Sequence, residues 1–354
     1  MHQKKLLTIT LICIVVTAFQ FCSKDETAAG VSVTAQAEPT LPAIPFNYVI
    51  AYPAHIQAAL VGNDNTPADN PITSDGATLG RVLFYDKQLS KNNKISCGSC
   101  HQQQFAFDDT ARLSKGFEDG LTARNSMSVL NIRFYRNGKM FWDERAASVE
   151  KQALQPIQNH TEMGLTLAEL ESKVSGLSYY PPLFQKAFGS TQVDSVRIAK
   201  ALAQFERSII TYQSKYDHVK QGTETFTPQE AQGEQLFLNA GAVNTCATCH
   251  APPMFIKSNS PAFAFPDPAD AGIDNLNKFK SGSLRNIAGR KSLFHNGSIA
   301  SLQAMLTAGA PGSGTAPIPA HTVNPQDVQS LLAFLNTLTD NTILTEEKFS
   351  NPFK

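Results

Sequence analysis

Two five-residue runs of the chain follow one pattern: Cys97-Gly98-Ser99-Cys100-His101 and Cys246-Ala247-Thr248-Cys249-His250. Their spacing is the attachment signature of a c-type haem, in which two thiols become thioethers to the porphyrin and the adjoining histidine supplies the proximal iron ligand. Cys-x-x-Cys pairs also occur in zinc sites and in redox dithiols. A histidine directly after both pairs favours haem over zinc, and a thioredoxin-type dithiol would need a βαβ pattern that the flanking sequence lacks. The expectation is two haems held by Cys97, Cys100, Cys246 and Cys249, with His101 and His250 on the irons. Only Cys13 and Cys22, near the N-terminus, lie outside the two motifs.

The elements that must position these residues repeat as well. Gly80-Arg-Val-Leu-Phe84 precedes the first motif and Gly233-Glu-Gln-Leu-Phe237 the second, so each half offers a helix followed by Cys-x-x-Cys-His. Thr227-Pro228-Gln229-Glu230 is a capping box with proline at the first helical position and opens the second half. Asp194 or Ser195 caps a helix with a stripe at Ile198, Ala201, Leu202, Phe205 and Ile209, and Asn324-Pro325 starts another with Val328, Leu331, Leu332 and Leu335. Both stripes read as core. No alternating run is long enough for an extensive sheet, and residues 308–320 read as a loop. The chain is expected to be mainly α.

Of 354 residues, 42% are hydrophobic and 17% charged, as in a globular chain rather than a disordered, collagenous or multi-pass membrane one. The 30 Lys plus Arg balance 30 Asp plus Glu, which leaves no basic field for nucleic acid. Lys4 and Lys5 precede an uncharged run from Leu6 to Phe19, too short to span a bilayer as a mature helix, so residues 1–22 read as a signal peptide. The run ends at Cys22, as in a bacterial lipoprotein signal whose cysteine takes up lipid, although Phe21 replaces the usual small residue. This implies an exported, periplasmic or envelope protein that meets the membrane only through a lipid anchor. Residues 23–45, rich in Ser, Thr, Ala and Pro, read as a tether.

Between the motifs lie Phe141-Trp142-Asp143-Glu144-Arg145, then Glu150-Lys151-Gln152-Ala153, then Glu162-Met163-Gly164. With Arg124-Asn125, the Ala-Leu-Ala-Gln-Phe-Glu-Arg run at 201–207, Leu284-Arg285-Asn286 and Phe294-His295-Asn296-Gly297, these segments closely resemble the bacterial dihaem cytochrome c peroxidase family, MauG-like enzymes included. The resemblance covers roughly residues 70–350. It implies two cytochrome c-like domains, each with one covalent haem: residues 46–222 peroxidatic and residues 223–354 receiving electrons. It also implies Trp142 between the haems, Gln152 and Glu162 beside the first, and His295 and Arg285 near the second, in contact with its propionates. Calcium between the domains would use Asn125. Cleaving the O–O bond of peroxide needs a proton moved from one oxygen to the other, which a carboxylate within hydrogen-bond reach can do, and an amide can orient peroxide and stabilise the departing oxygen.

Two departures from the family pattern bear on function. Classical members carry a histidine that caps the catalytic iron at rest, and Phe117 stands at that place here, as in MauG-like members. No histidine occurs between His101 and His160, and His160 adjoins the Glu162 segment. The family also places methionine or tyrosine fourteen residues after the histidine corresponding to His295, and here that position is Gly309. Met305, His321 or an open site are the alternatives for the second iron. His55 reads as a surface residue.

The expected reaction is reduction of hydrogen peroxide to water with electrons from a small exported cytochrome c or cupredoxin. A MauG-like oxidase acting on a protein substrate and a non-enzymatic dihaem electron carrier are the competing readings, and a homodimer is a further expectation.

Overall fold

The computed structural model describes residues 37–239, 246–256, 263–264, 267, 269–307, 321 and 323–353. The signal peptide, Cys22, the first part of the tether, Gly309 and the loop 308–320 lie outside them. The described chain is mainly helical, as expected. Twelve α-helices occur among these residues: α1 Ala54–Leu60, α2 Ser74–Tyr85, α3 Cys97–Cys100, α4 Val149–Gln158, α5 Leu167–Gly176, α6 Tyr180–Phe188, α7 Ser195–Ser208, α8 Lys215–Lys220, α9 Pro228–Asn239, α10 Cys246–Cys249, α11 Leu302–Leu306 and α12 Val328–Asn336. The sheet among the described residues is one antiparallel pair, β1 Phe263–Ala264 with β2 Lys278–Phe279.

Helix starts follow the capping chemistry of the sequence. Asp194 accepts the Arg197 N–H at 2.8 Å and so starts α7. At α9, Thr227 Oγ1 accepts the Glu230 N–H while Glu230 Oε2 accepts the Thr227 N–H at 2.7 Å, the reciprocal pair of a capping box. α12 begins later than Asn324-Pro325 suggested. The Asp327 N–H bonds the Asn324 carbonyl at 2.9 Å, closing a tight turn over 325–327, and the first helical bond runs from Leu331 N–H to the Asp327 carbonyl.

The repeat in the sequence is a repeat in packing. Gly80 of α2 lies against the Ala201 carbonyl of α7, and Gly233 of α9 against the Ser330 carbonyl of α12, so a Cβ at either glycine would collide with backbone. Each crossing anchors a hydrophobic cluster. The first gathers Leu79, Val82, Leu83, Phe84, Leu202 and Phe205, with Phe84 and Phe205 edge-on at 5.3 Å. The second gathers Tyr216, Phe237, Phe255, Leu331 and Phe334, with Phe237 5.4 Å from both Phe255 and Phe334.

The last residues return to the first cluster. Phe349 is buried there, and Tyr48 and Tyr85 hydroxyls donate to the Lys348 and Phe349 carbonyls at 2.5 and 2.7 Å. Of the tether, residues 37–45 lack regular structure, and the Thr40 N–H donates to the Pro352 carbonyl at 2.8 Å.

Candidate haem sites and peroxide pocket

Each motif forms one short helical turn, α3 and α10, that ends in its histidine. His101 Nδ1 lies 3.2 Å from the Phe107 carbonyl, and His250 Nδ1 lies 3.2 Å from the Gly282 carbonyl. A carbonyl can only accept, so both Nδ1 atoms carry the proton and both Nε2 atoms present a lone pair, the arrangement that fixes a histidine as a metal ligand. Burial lowers the pKa of both rings, His250 to about 4, which keeps them neutral. Burial raises the pKa of Cys97, Cys100 and Cys246, with Cys100 pushed up to about 11, and so opposes the thiolate that a redox dithiol needs.

Cys97, Cys100 and His101 open on a cavity of about 540 Å³ whose walls include Gln152, Glu162, Met163 and Glu206. The structure thus brings the first motif together with the two polar residues chosen from sequence. Gln152 rides on α4, and the turn that ends this helix carries Glu162. Asn159 Oδ1 accepts the Thr161 and Glu162 N–H groups at 2.8 and 3.3 Å, an Asx turn that aims the carboxylate back towards the helix it left. Burial raises the pKa of Glu162, offset in part by Arg145. The Phe117 N–H donates to the Glu162 carbonyl at 3.0 Å, and the Phe117 ring lies against Gly164, whose φ is +73°. His160 is exposed and does not line the cavity.

His250 opens on a second cavity of about 980 Å³, shared by Trp142, Arg290, Met305 and His321. Both candidate ligands for the second iron therefore lie in the His250 cavity. Burial lowers the pKa of His321 to about 4, leaving a neutral imidazole. Trp142 lines the second cavity, its Nε1–H donates to the Asn125 carbonyl at 2.9 Å, and the next residue, Ser126, has its hydroxyl 3.3 Å from His101 Nδ1 while also lining the second cavity.

Three side chains stand elsewhere than the sequence reading placed them. Arg285 is fully buried and held bidentate by Asp217 at 2.6 and 2.8 Å, so its charge is spent on that carboxylate, and Arg290 is the guanidinium that lines the second cavity. His55, expected at the surface, reaches the same Asp217 through Nε2 at 2.9 Å. His295 is 1% exposed, stacks on Phe279 at 3.6 Å and meets Asp267 at 3.0 Å through Nε2, outside the cavity lining. Glu206 is part of the 201–207 run that carries the family resemblance but is given no role by it, and the side chains of Ser126 and Arg290 are given none either. Only Glu206 left a signal, a charge beside the buried stripe of α7.

A mainly helical chain with two Cys-x-x-Cys-His turns, each opening on its own cavity, defines a c-type cytochrome class with two attachment sites. The model of the family "Di-haem cytochrome c peroxidase" matches residues 74–225. Cytochrome c551 peroxidase of Nitrosomonas europaea is 34% identical over 286 residues, 77% of this chain and 82% of that protein. Methylamine utilization protein MauG of Methylophilus methylotrophus is 30% identical over 250 residues, 68% of this chain and 73% of that protein. The crystal structure of a MauG-like protein associated with microbial copper homeostasis aligns at 28% identity with a TM-score of 0.73, covering 87% of this chain and all of that one. The chain belongs to the di-haem cytochrome c peroxidase family, and membership implies two c-type haems and oxidoreductase chemistry.

Haem attachment is directly countable. Denatured holoprotein is expected to keep haem through electrophoresis and to give two haems per chain as the pyridine adduct, falling to one when Cys97 and Cys100 are both replaced by Ser. Two haems surviving that change would remove the first motif from attachment.

Proposed function

We propose that the protein reduces hydrogen peroxide to water in the first cavity with electrons that enter at the second. The observation that carries this reading is the meeting of Gln152 and Glu162 in the cavity of the first motif, which an electron carrier has no need of. When bound there, a haem supplies the redox equivalents and a site for one peroxide oxygen. Glu162 would take the proton from one peroxide oxygen and return it to the departing one, a transfer favoured by a carboxyl whose pKa burial raises. Gln152 orients the peroxide through its amide and stabilises the departing oxygen. Trp142, Asn125 and Ser126 form the covalent and hydrogen-bonded link along which electrons pass between the cavities.

In this reading the 46–222 region houses the peroxidatic haem and the 223–354 region the electron-receiving one. Met305 or His321, which share the His250 cavity, would supply a further ligand to the second iron, thioether giving the higher potential and imidazole the lower. Calcium at Asn125 would take the amide oxygen, since Nδ2 already donates to the Arg112 carbonyl at 3.0 Å. The chain is exported and tethered by lipid at Cys22. Among the described residues no helix is long and apolar enough to cross a membrane.

The test is steady-state oxidation of a reduced small cytochrome c by the purified holoprotein. Peroxide-dependent turnover is expected. Turnover that needs a protein substrate in place of the donor would favour the MauG-like reading.

A further inference from the structure

Glu206 sits on α7 with 4% of its surface exposed, and its Oε2 has no hydrogen-bond partner. It lines the first cavity beside Cys97 and Cys100. Its neighbour Arg207 could have neutralised it, but Arg207 is engaged by Glu150 of α4 at 2.5 and 3.0 Å. Burial alone would raise the Glu150 pKa, yet Arg207 and Asn70 draw it down to about 2, so this pair is ionised and closed. A second carboxyl is thus left inside the wall of the cavity, and the cation that lines this cavity, Lys115, is exposed and lies 3.9 Å from Asp119.

The other elements packed on α7 bring no charge to relieve it. On α2, Arg81 donates to the Ser350 carbonyl and Tyr85 to the Phe349 carbonyl. Arg133, in the turn 132–134, pairs with Asp64 at 2.5 Å. On α5, Glu169 meets Lys91, Glu171 accepts the Ser195 N–H, and Lys173 donates to the Gln88 and Ser90 carbonyls and to Asn93. From α3, Cys97 and Cys100 bring no charge, since each would be a thioether of the bound haem. Burial pushes Glu206 up to about 8, with Arg207 lowering and Glu150 raising it.

Resting on the reading that Cys97, Cys100 and His101 hold a haem, we propose that Glu206 binds a proton when that haem is reduced and releases it when the haem is oxidised. One electron comes from a reduced small redox protein by way of the second site, and one proton comes from solvent to the carboxylate. Both leave on oxidation. The physical basis is local neutrality: an added negative charge beside a buried carboxylate is repelled, and the repulsion is removed when the carboxylate protonates. Glu206 is a proton-carrying residue in this scheme and need not touch peroxide.

The test is a spectroelectrochemical titration of the holoprotein, following the first haem across about pH 6 to 10, a range centred on the displaced carboxyl. The wild-type potential is expected to fall with rising pH, at most by about 59 mV per unit for a one-electron, one-proton couple. Glu206→Gln should give a flat line between about pH 7 and 9, and Glu162→Gln should keep the slope. A wild type without slope, a slope that survives in Glu206→Gln, or one that is lost in Glu162→Gln would each overturn the proposal.

Should Glu206→Gln fail to take up haem, the infrared redox difference spectrum of Glu162→Gln holoprotein decides. A protonated carboxyl band that appears on reduction supports the assignment, and no such band overturns it. A chain without a first haem would remove both this inference and the functional reading, whereas a first haem of flat potential in an active peroxidase would remove the inference alone.

Discussion

Glu162→Gln is expected to keep both haems and to lose peroxide turnover by about 10²-fold or more, the usual contribution of a positioned general acid/base. The change keeps the shape of the side chain and the Asx turn beneath it, because Asn159 holds backbone N–H groups and not the carboxylate. What is lost is the ability to take and return a proton. The pH profile carries the same information. Burial raises the Glu162 pKa, so the proton-accepting form is lost as pH falls through a value above the ordinary one for glutamate, and the acid limb of the wild-type profile should be displaced upward accordingly. The limb should vanish from whatever turnover remains in the variant. Near wild-type turnover in Glu162→Gln would take the residue out of the mechanism.

Fully oxidised holoprotein is expected to react with peroxide on mixing, with no electron supplied beforehand. Among the described residues no second imidazole lines the first cavity: the Phe117 ring rests on Gly164, and His160 is exposed. The resting spectrum should therefore contain a high-spin ferric component, and peroxide should change it at once. Phe117→His is expected to convert the protein to a low-spin form that ignores peroxide until reduced, since the backbone at 117 is already bonded to the Glu162 turn and so lies beside the cavity. A wild type that is wholly low-spin and silent to peroxide until reduced would show that another side chain occupies the position.

The chemistry was legible in the sequence where it is local and obscure where it is not. Cys-x-x-Cys-His, the capping residues at 194 and 227 and the Gly80 and Gly233 repeats all act within a few residues of themselves, and the structure folds each as the spacing implies. Gln152 and Glu162 are singled out together by the family resemblance, and in the structure one helix and its terminal turn connect them. Arg285 could not be placed from sequence, since Asp217, its partner, lies 68 positions away, and His55 comes to the same carboxylate from 162 positions away. Side chains that meet through tertiary packing leave no periodic trace. Arg290 and Ser126 gain their meaning only from the cavity that gathers them, and Glu206 only from the departure of Arg207 to α4.

The most direct measurement is an anaerobic electron inventory, in which limiting peroxide is added to catalytic holoprotein and excess reduced small cytochrome. Two donor molecules oxidised for each peroxide consumed, with oxidation about 10²-fold slower or more when Glu162→Gln replaces the wild type, is the expected result. Peroxide that survives, or that disappears without oxidising the donor, would contradict the assignment of the first cavity as a peroxidase site fed from the second.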